Sequence, residues 1–267
     1  MNELQRIVAL TRTEVERRRR AVAADALQRA AQGGRLRAGA GPSFAQAISV
    51  PGLSLIAEHK RRSPSAGAIR DGVALEQVIA AYERGGAAAL SILTEGPSFG
   101  GSLEDLRAAR AASELPILRK DFVVDRYQVD EAVVAGADAI LLIAAALADD
   151  ELRALHEHAR ERGLDTLVEV HDKRELERAL GIGAALVGIN NRDLRTLEVD
   201  VARTFELLPL IPEGTVVVAE SGFSRRAQLE ELAGAGVDAV LVGEALMRAT
   251  DIEDAVRSLT GNPPSVR

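Results

Sequence analysis

The chain is 267 residues long with 47% hydrophobic and 3% aromatic content, enough to bury one large core of the size typical of an eight-stranded α/β barrel. A formal net charge of −7 works against a nucleic-acid or anionic-membrane partner, since either favours a basic surface. The absence of cysteine excludes disulfides and thiolate zinc sites; with no secretory pattern at the start and no apolar run near about 18 residues, the expectation is a soluble cytoplasmic protein acting on a small molecule.

Residues 2–20 place Leu4, Ile7, Val8, Leu10 and Val15 at helical spacing and predict an amphipathic helix. Its run from Arg17 to Arg20 reads as a solvated face in so acidic a chain. Residues 33–42, rich in Gly, Ala and Arg, read as a linker, and residues 43–48 as one further helical turn. Residues 1–48 are therefore expected to form a helical extension packing on a catalytic domain of residues 49–267. From residue 53 onward, apolar runs at 53–59, 89–93, 116–120, 139–143, 166–170, 186–190, 215–220 and 239–242 predict eight strands. They recur roughly every 26 residues and alternate with helical segments such as 102–113, 148–162 and 225–235, the rhythm of βα units. Strands apolar on both faces fit a parallel sheet covered by helices. The expected fold is α/β, a single (β/α)8 TIM barrel with an N-terminal helical extension; an open doubly wound sheet shares the alternation.

The residues just past each strand favour the barrel. Polar residues gather at the C-terminal strand ends: Glu58 and Lys60, Thr94 and Glu95, Lys120, Glu169, Asn190 and Arg192, Glu220 and Ser221, and Gly243. In a barrel those ends share one mouth, so residues far apart in sequence converge. Side chains two apart on a strand share a face, which puts Glu58 with Lys60 and turns His59 away. The same parity pairs Leu118 with Lys120, Leu167 with Glu169 and Gly188 with Asn190. Lysine is scarce, with Lys60, Lys120 and Lys173 the only three among 33 basic residues. A retained lysine points to a titratable amine, which arginine cannot supply. Burial is expected to pull those amines down and push the carboxylates up, towards neutral proton donors and acceptors. The Gly-containing turns after the last two strands, at Ser221-Gly222 and Gly243-Glu244, are expected to hold phosphate through backbone N–H groups.

Other signals carry little. Gly181-Ile182-Gly183 follows a helix and precedes a strand, the wrong order for a dinucleotide fingerprint. His156 and His158 do not share a helix face, and His59 and His171 lack ligand partners at metal-binding spacing, so no metal is implied.

Seven ordered segments, IAEHKRRSPSAG (56–67), SILTE (91–95), PILRKDFVVDRYQV (116–129), LVEVHD (167–172), GINNRDL (188–194), VAESGF (218–223) and LVGEALMR (241–248), resemble the indole-3-glycerol phosphate synthase family over nearly the whole chain. The resemblance implies cofactor-free ring closure, decarboxylation and dehydration of 1-(2-carboxyphenylamino)-1-deoxyribulose 5-phosphate. It implies Lys120 as general acid, Glu169 and Glu58 in later proton transfers, Lys60 near the substrate carboxylate or as a further acid, and Asn190 orienting hydroxyls. It also implies Ser63, Arg192, Ser221, Gly222, Gly243 and Glu244 at phosphate or sugar, Glu220 supporting the sugar, and Pro64, Phe99 and Phe122 lining an aromatic pocket. Two departures stand out: His59 replaces a commonly apolar residue, and Glu244 stands where some members carry a phosphate-binding serine. The competing expectations are a Schiff-base aldolase or phosphosugar isomerase on the same scaffold, and a non-catalytic phosphosugar-binding barrel.

Overall fold

The computed structural model describes residues 2–33, 42–70 and 72–261. Eight parallel strands, β1 (Ser54–His59), β2 (Ala89–Leu93), β3 (Ile117–Lys120), β4 (Ala139–Ile143), β5 (Asp165–Val170), β6 (Leu186–Asn190), β7 (Val216–Glu220) and β8 (Ala239–Val242), form a closed ring in sequence order. Strand β1 pairs with β2 on one side and β8 on the other, so the open sheet is excluded. Every strand ends at the expected residue, because the apolar run stops where the polar mouth begins.

The two strand faces bury against different things. Ile56, Leu118, Leu167 and Val218 fill the barrel interior, while Leu55, Ile117, Val168 and Val217 meet the surrounding helices. Two-sided burial is the reason the strands read as continuous apolar runs. The outer ring includes α4 (Leu75–Gly85), α5 (Leu103–Ala112), α6 (Arg126–Ala135), α7 (Asp149–Glu161), α8 (Lys173–Gly181), α9 (Ala202–Leu207) and α10 (Arg226–Ala235), and ends with α11 (Glu244–Arg248) and α12 (Ile252–Thr260). Where α12 closes against α4, a Cβ on Gly85 would lie 2.5 Å from Val256 Cβ, so only glycine permits that approach. Among the described residues no helix is long and apolar enough to cross a membrane.

The helices preceding β1 reach both ends of the barrel. In α1 (Glu3–Ala21) the capping box of Asn2 and Gln5 starts the helix, and Leu4 and Ile7 join the interior cluster. Its far end is tied down ionically: Arg18 Nε lies 2.7 Å from Glu131 Oε1. Glu131 Oε2 in turn lies 3.3 Å from the guanidinium of Arg119, which is 1% exposed and also meets Asp121 at 2.8 Å. A short α3 (Phe44–Ile48), capped by Ser43, plugs the opposite end, with the Ala45 N–H donating to Asp165 Oδ2 at the start of β5. Phe44 and Ile48 belong to the same cluster as Ala89 and Ala139; small residues in the first strand layer leave volume that the two larger ones fill.

Two elements go beyond the sequence expectation. A helix, α2 (Ala24–Gly33), packs on α6. After β1, the two-residue strands Arg62–Ser63 and Gly67–Ala68 make an antiparallel hairpin. Of the linker read at 33–42, residues 34–41 lie outside the described residues.

Candidate active site

Strand parity and register build the site. Leu93 pairs with Lys120 across β2 and β3, Glu169 with Gly188 across β5 and β6, and Asn190 with Glu220 across β6 and β7. One layer at the C-terminal ends therefore carries the charged groups into a cavity of about 460 Å³. All fifteen candidate residues line it: Glu58, Lys60, Ser63, Pro64, Phe99, Lys120, Phe122, Glu169, Asn190, Arg192, Glu220, Ser221, Gly222, Gly243 and Glu244. So do Leu4 and Ile7 of α1 and Leu194 and Leu197 of the loop after β6, which no local sequence signal singles out.

At the floor, Lys120 Nζ lies 3.1 Å from Glu169 Oε2 and 3.0 Å from Glu220 Oε2. Beside them, Lys60 Nζ lies 2.9 Å from Glu58 Oε1, and Ser91 Oγ donates to Glu58 Oε2 at 3.5 Å. Two glycines, Gly188 within β6 and Gly243 just past β8, make room for this crowd. A Cβ on Gly188 would stand 2.4 Å from Glu220 Oε1, and one on Gly243 would stand 2.6 Å from Glu58 Oε1. Glycine inside the apolar run LVGIN was the available signal for such a close approach.

The expected direction for the lysine is corrected. Burial acts to lower Lys120, but the carboxylates of Glu169, Glu220 and Glu58 outweigh it and hold the amine well above the ordinary lysine range. Glu58 and Glu169 are likewise pushed up by burial and yet end below their ordinary value, Glu58 through Lys60 and Lys120, Glu169 through Lys120 and His171. Of the floor carboxylates, Glu220 alone behaves as expected: burial, with the neighbouring Glu169 and Glu58 charges and against the pull of Lys120, pushes it up to about 7. Near neutral pH the titrating group at the floor is thus a carboxyl, with the amine charged.

The walls differ in character. On one side Phe99 and Phe122 face each other at 6.2 Å between ring centroids. The turn carrying Phe99 is fixed by Glu95 Oε2, which accepts from the Ser98 and Phe99 N–H groups at 2.7 and 2.9 Å. The Phe122 N–H donates to Asp121 Oδ1 at 2.8 Å. Opposite, the turn after β7 holds Ser221 at φ 63° and Gly222 at φ 92°, and Asn191 Nδ2 donates to the Ser221 carbonyl at 3.0 Å. Asn190 Oδ1 accepts from the Arg192 N–H at 2.9 Å, and Arg192 Nη1 donates to the Leu197 carbonyl at 2.8 Å. Glu244 opens α11 and turns along it to Arg248 Nε at 2.9 Å. His59 is buried and does not line the cavity, as its parity required. His171, whose spacing suits no metal, comes within 3.4 Å of Glu169.

Known proteins share this chain's sequence and fold. The family model described as indole-3-glycerol phosphate synthase matches residues 4–259. A protein of that name from a Nocardioides species is 54% identical over 79% of this chain and 81% of its own. Another, from a Parafrankia species, is 46% identical over 100% of this chain and 99% of its own. Among solved structures, a 3-hexulose-6-phosphate synthase superposes with a TM-score of 0.63 at 16% identity, covering 79% of this chain and 99% of that one. A thiamine phosphate pyrophosphorylase from Pyrococcus furiosus gives 0.59 at 19% identity, covering 78% and 94%. At those identities the structural likeness speaks for the barrel alone.

Proposed function

The chain belongs to the indole-3-glycerol phosphate synthase family, and from that premise we propose that it closes the indole ring of 1-(2-carboxyphenylamino)-1-deoxyribulose 5-phosphate in tryptophan biosynthesis, with Lys120 as the general acid. The aromatic carbon bearing the carboxylate attacks the ribulose carbonyl, and the developing alkoxide takes a proton. Loss of CO2 restores aromaticity, and departure of the hydroxyl as water completes the indole. An acid for the first step must carry its proton at working pH, and an alkoxide is basic enough to take one even from an amine held strongly protonated. The observation that carries the reading is Lys120 bridging Glu169 and Glu220 at the cavity floor. Once Lys120 has given up its proton, Glu220, poised near 7, is placed to restore it.

The remaining roles are distributed over the floor and the walls. The anthranilate ring lies against Pro64, Phe99 and Phe122, with Lys60 towards its carboxylate. Glu169 and Glu58 serve the later proton transfers, and Asn190 orients the hydroxyls. Ser63, Arg192, Ser221, Gly222, Gly243 and Glu244 surround the sugar and phosphate, with Glu220 towards the sugar. Helix α1 completes the catalytic unit, its Leu4 and Ile7, which line the cavity, lying over the ring. We read the protein as cytoplasmic, with a phosphorylated small molecule as its partner. Purified protein given the carboxyphenylamino substrate should develop indole fluorescence, against no tryptophan emission of its own; no indole under saturating substrate sinks the reading. A Schiff-base aldolase needs a neutral amine, and the carboxylates around Lys120 oppose that; borohydride should leave the lysine unmodified.

A further inference from the structure

The two oxygens of Glu169 have different surroundings. Oε2 faces Lys120, whereas Oε1 is buried without a hydrogen-bond partner and faces His171 Nε2 at 3.4 Å, itself buried without one. The other ring nitrogen, Nδ1, lies 3.0 Å from Glu175 Oε2, which also accepts from the His171 backbone N–H at 2.8 Å. One short segment builds this row: Glu169 is the last but one residue of β5, His171 stands in the turn, and Glu175 lies in the first turn of α8, capped by Asp172. A buried carboxylate oxygen and a ring nitrogen left unsatisfied face to face are costly as acceptor against acceptor; with a proton on each ring nitrogen they attract.

We propose that His171 is a positioning residue, a doubly protonated imidazole held by Glu175 that fixes Glu169 Oε1 and leaves Oε2 aimed at Lys120 until the ring loses its proton. The inference rests on the reading of Glu169 as a proton-transfer group. The charged groups facing the ring are Glu169 from β5, Glu175 from α8 and Arg203 from α9. Burial and Arg203 act against the imidazolium, but the two carboxylates outweigh them and hold it above the ordinary histidine range. The arrangement resembles a ligand held from behind, in which the rear carboxylate sets the tautomer and orientation of the ring.

The test uses the whole chain with isotope-labelled histidine, His171→Asn assigning the ring signal. His171 should titrate above free imidazole, and Glu175→Gln should lower that midpoint by about one pH unit. In turnover, His171→Asn should lower kcat about tenfold with KM within about twofold, and the alkaline limb of the parent's kcat profile should disappear. Glu175→Gln, which keeps the ring, should move that limb down by the same amount as the ring midpoint. A ring neutral at and below pH 6.5 overturns the proposal, as does His171→Asn with unchanged kcat and limb, or a Glu175→Gln limb that stays put while the melting temperature falls. Full turnover in Glu169→Gln is a different failure, overturning the role of Glu169 while the ring titration still reports the pairing.

Discussion

Lys120 is the point at which three carboxylates converge, and its chemistry is set by their sum. A guanidinium in its place would keep the charge but could not release a proton near neutrality. Lys120→Arg should therefore be nearly as inactive as Lys120→Ala, with kcat reduced roughly a hundredfold or more. Steady-state kinetics with most of the turnover retained in the arginine variant would make Lys120 a charge and pass the acid role to Lys60. Glu220 has the opposite liability. Between the ordinary carboxylate range and about 7, the folded protein keeps a proton that the unfolded chain has released, so stability falls as pH rises through that window. Glu220→Gln removes the slope. Relative to the parent it should be more stable at about pH 8 than at about pH 5, by up to about 3 kcal/mol. Urea unfolding at both values checks this, and a pH-independent difference would mean that Glu220 is already ionised at the lower one.

At the scale of elements, the loops after β6, β7 and β8 together line the side of the cavity where we propose the phosphate sits. The isolated bridge between Arg192 and Val199 folds the β6 loop over the next turn, where a Cβ on Gly222 would come within 2.7 Å of Val201 Cγ1. A carboxylate about 4 Å from a phosphate charge is repelled by roughly 4 kcal/mol at an effective dielectric of 20. Glu244 pairs instead with Arg248 along α11, an arrangement that would keep its charge off a phosphate held there. Glu244→Ser should leave kcat unchanged and KM equal or lower, while Arg192→Ala should raise KM clearly. A tenfold rise in KM for Glu244→Ser, about 1.4 kcal/mol, would place that carboxylate on a substrate hydroxyl and move the phosphate elsewhere.

Over the whole molecule, the barrel was legible because strand and helix periods alternate without interruption, and the mouth because polar residues stop each apolar run. The floor was not. Phe44 and Ile48 look like any short apolar turn, and nothing local says that they fill the space left by Ala89 and Ala139. Phe44→Ala should cost about 3–5 kcal/mol through the cavity it opens, with kcat little changed; unchanged unfolding in urea would remove α3 from the core. Nor was α2 legible, since its stabilising surface lies on α6, far along the chain. The protonation states escaped the sequence for a related reason. A single strand shows one acid or one amine, whereas the sign of the shift at Lys120 depends on Glu58, Glu169 and Glu220 arriving from three strands.

The scarcity of lysine has a practical side. Lys60 and Lys120 are each ion-paired and largely enclosed, their side chains 18% and 14% exposed, whereas Lys173 is 69% exposed. Lys173 opens α8 directly after the turn that leaves β5, on the same end of the barrel as the mouth. An amine-reactive dye or surface tether would therefore attach among the lysines at one rim position, leaving the floor amines untouched. Among its lysines the folded protein thus carries one accessible handle for watching substrate arrive.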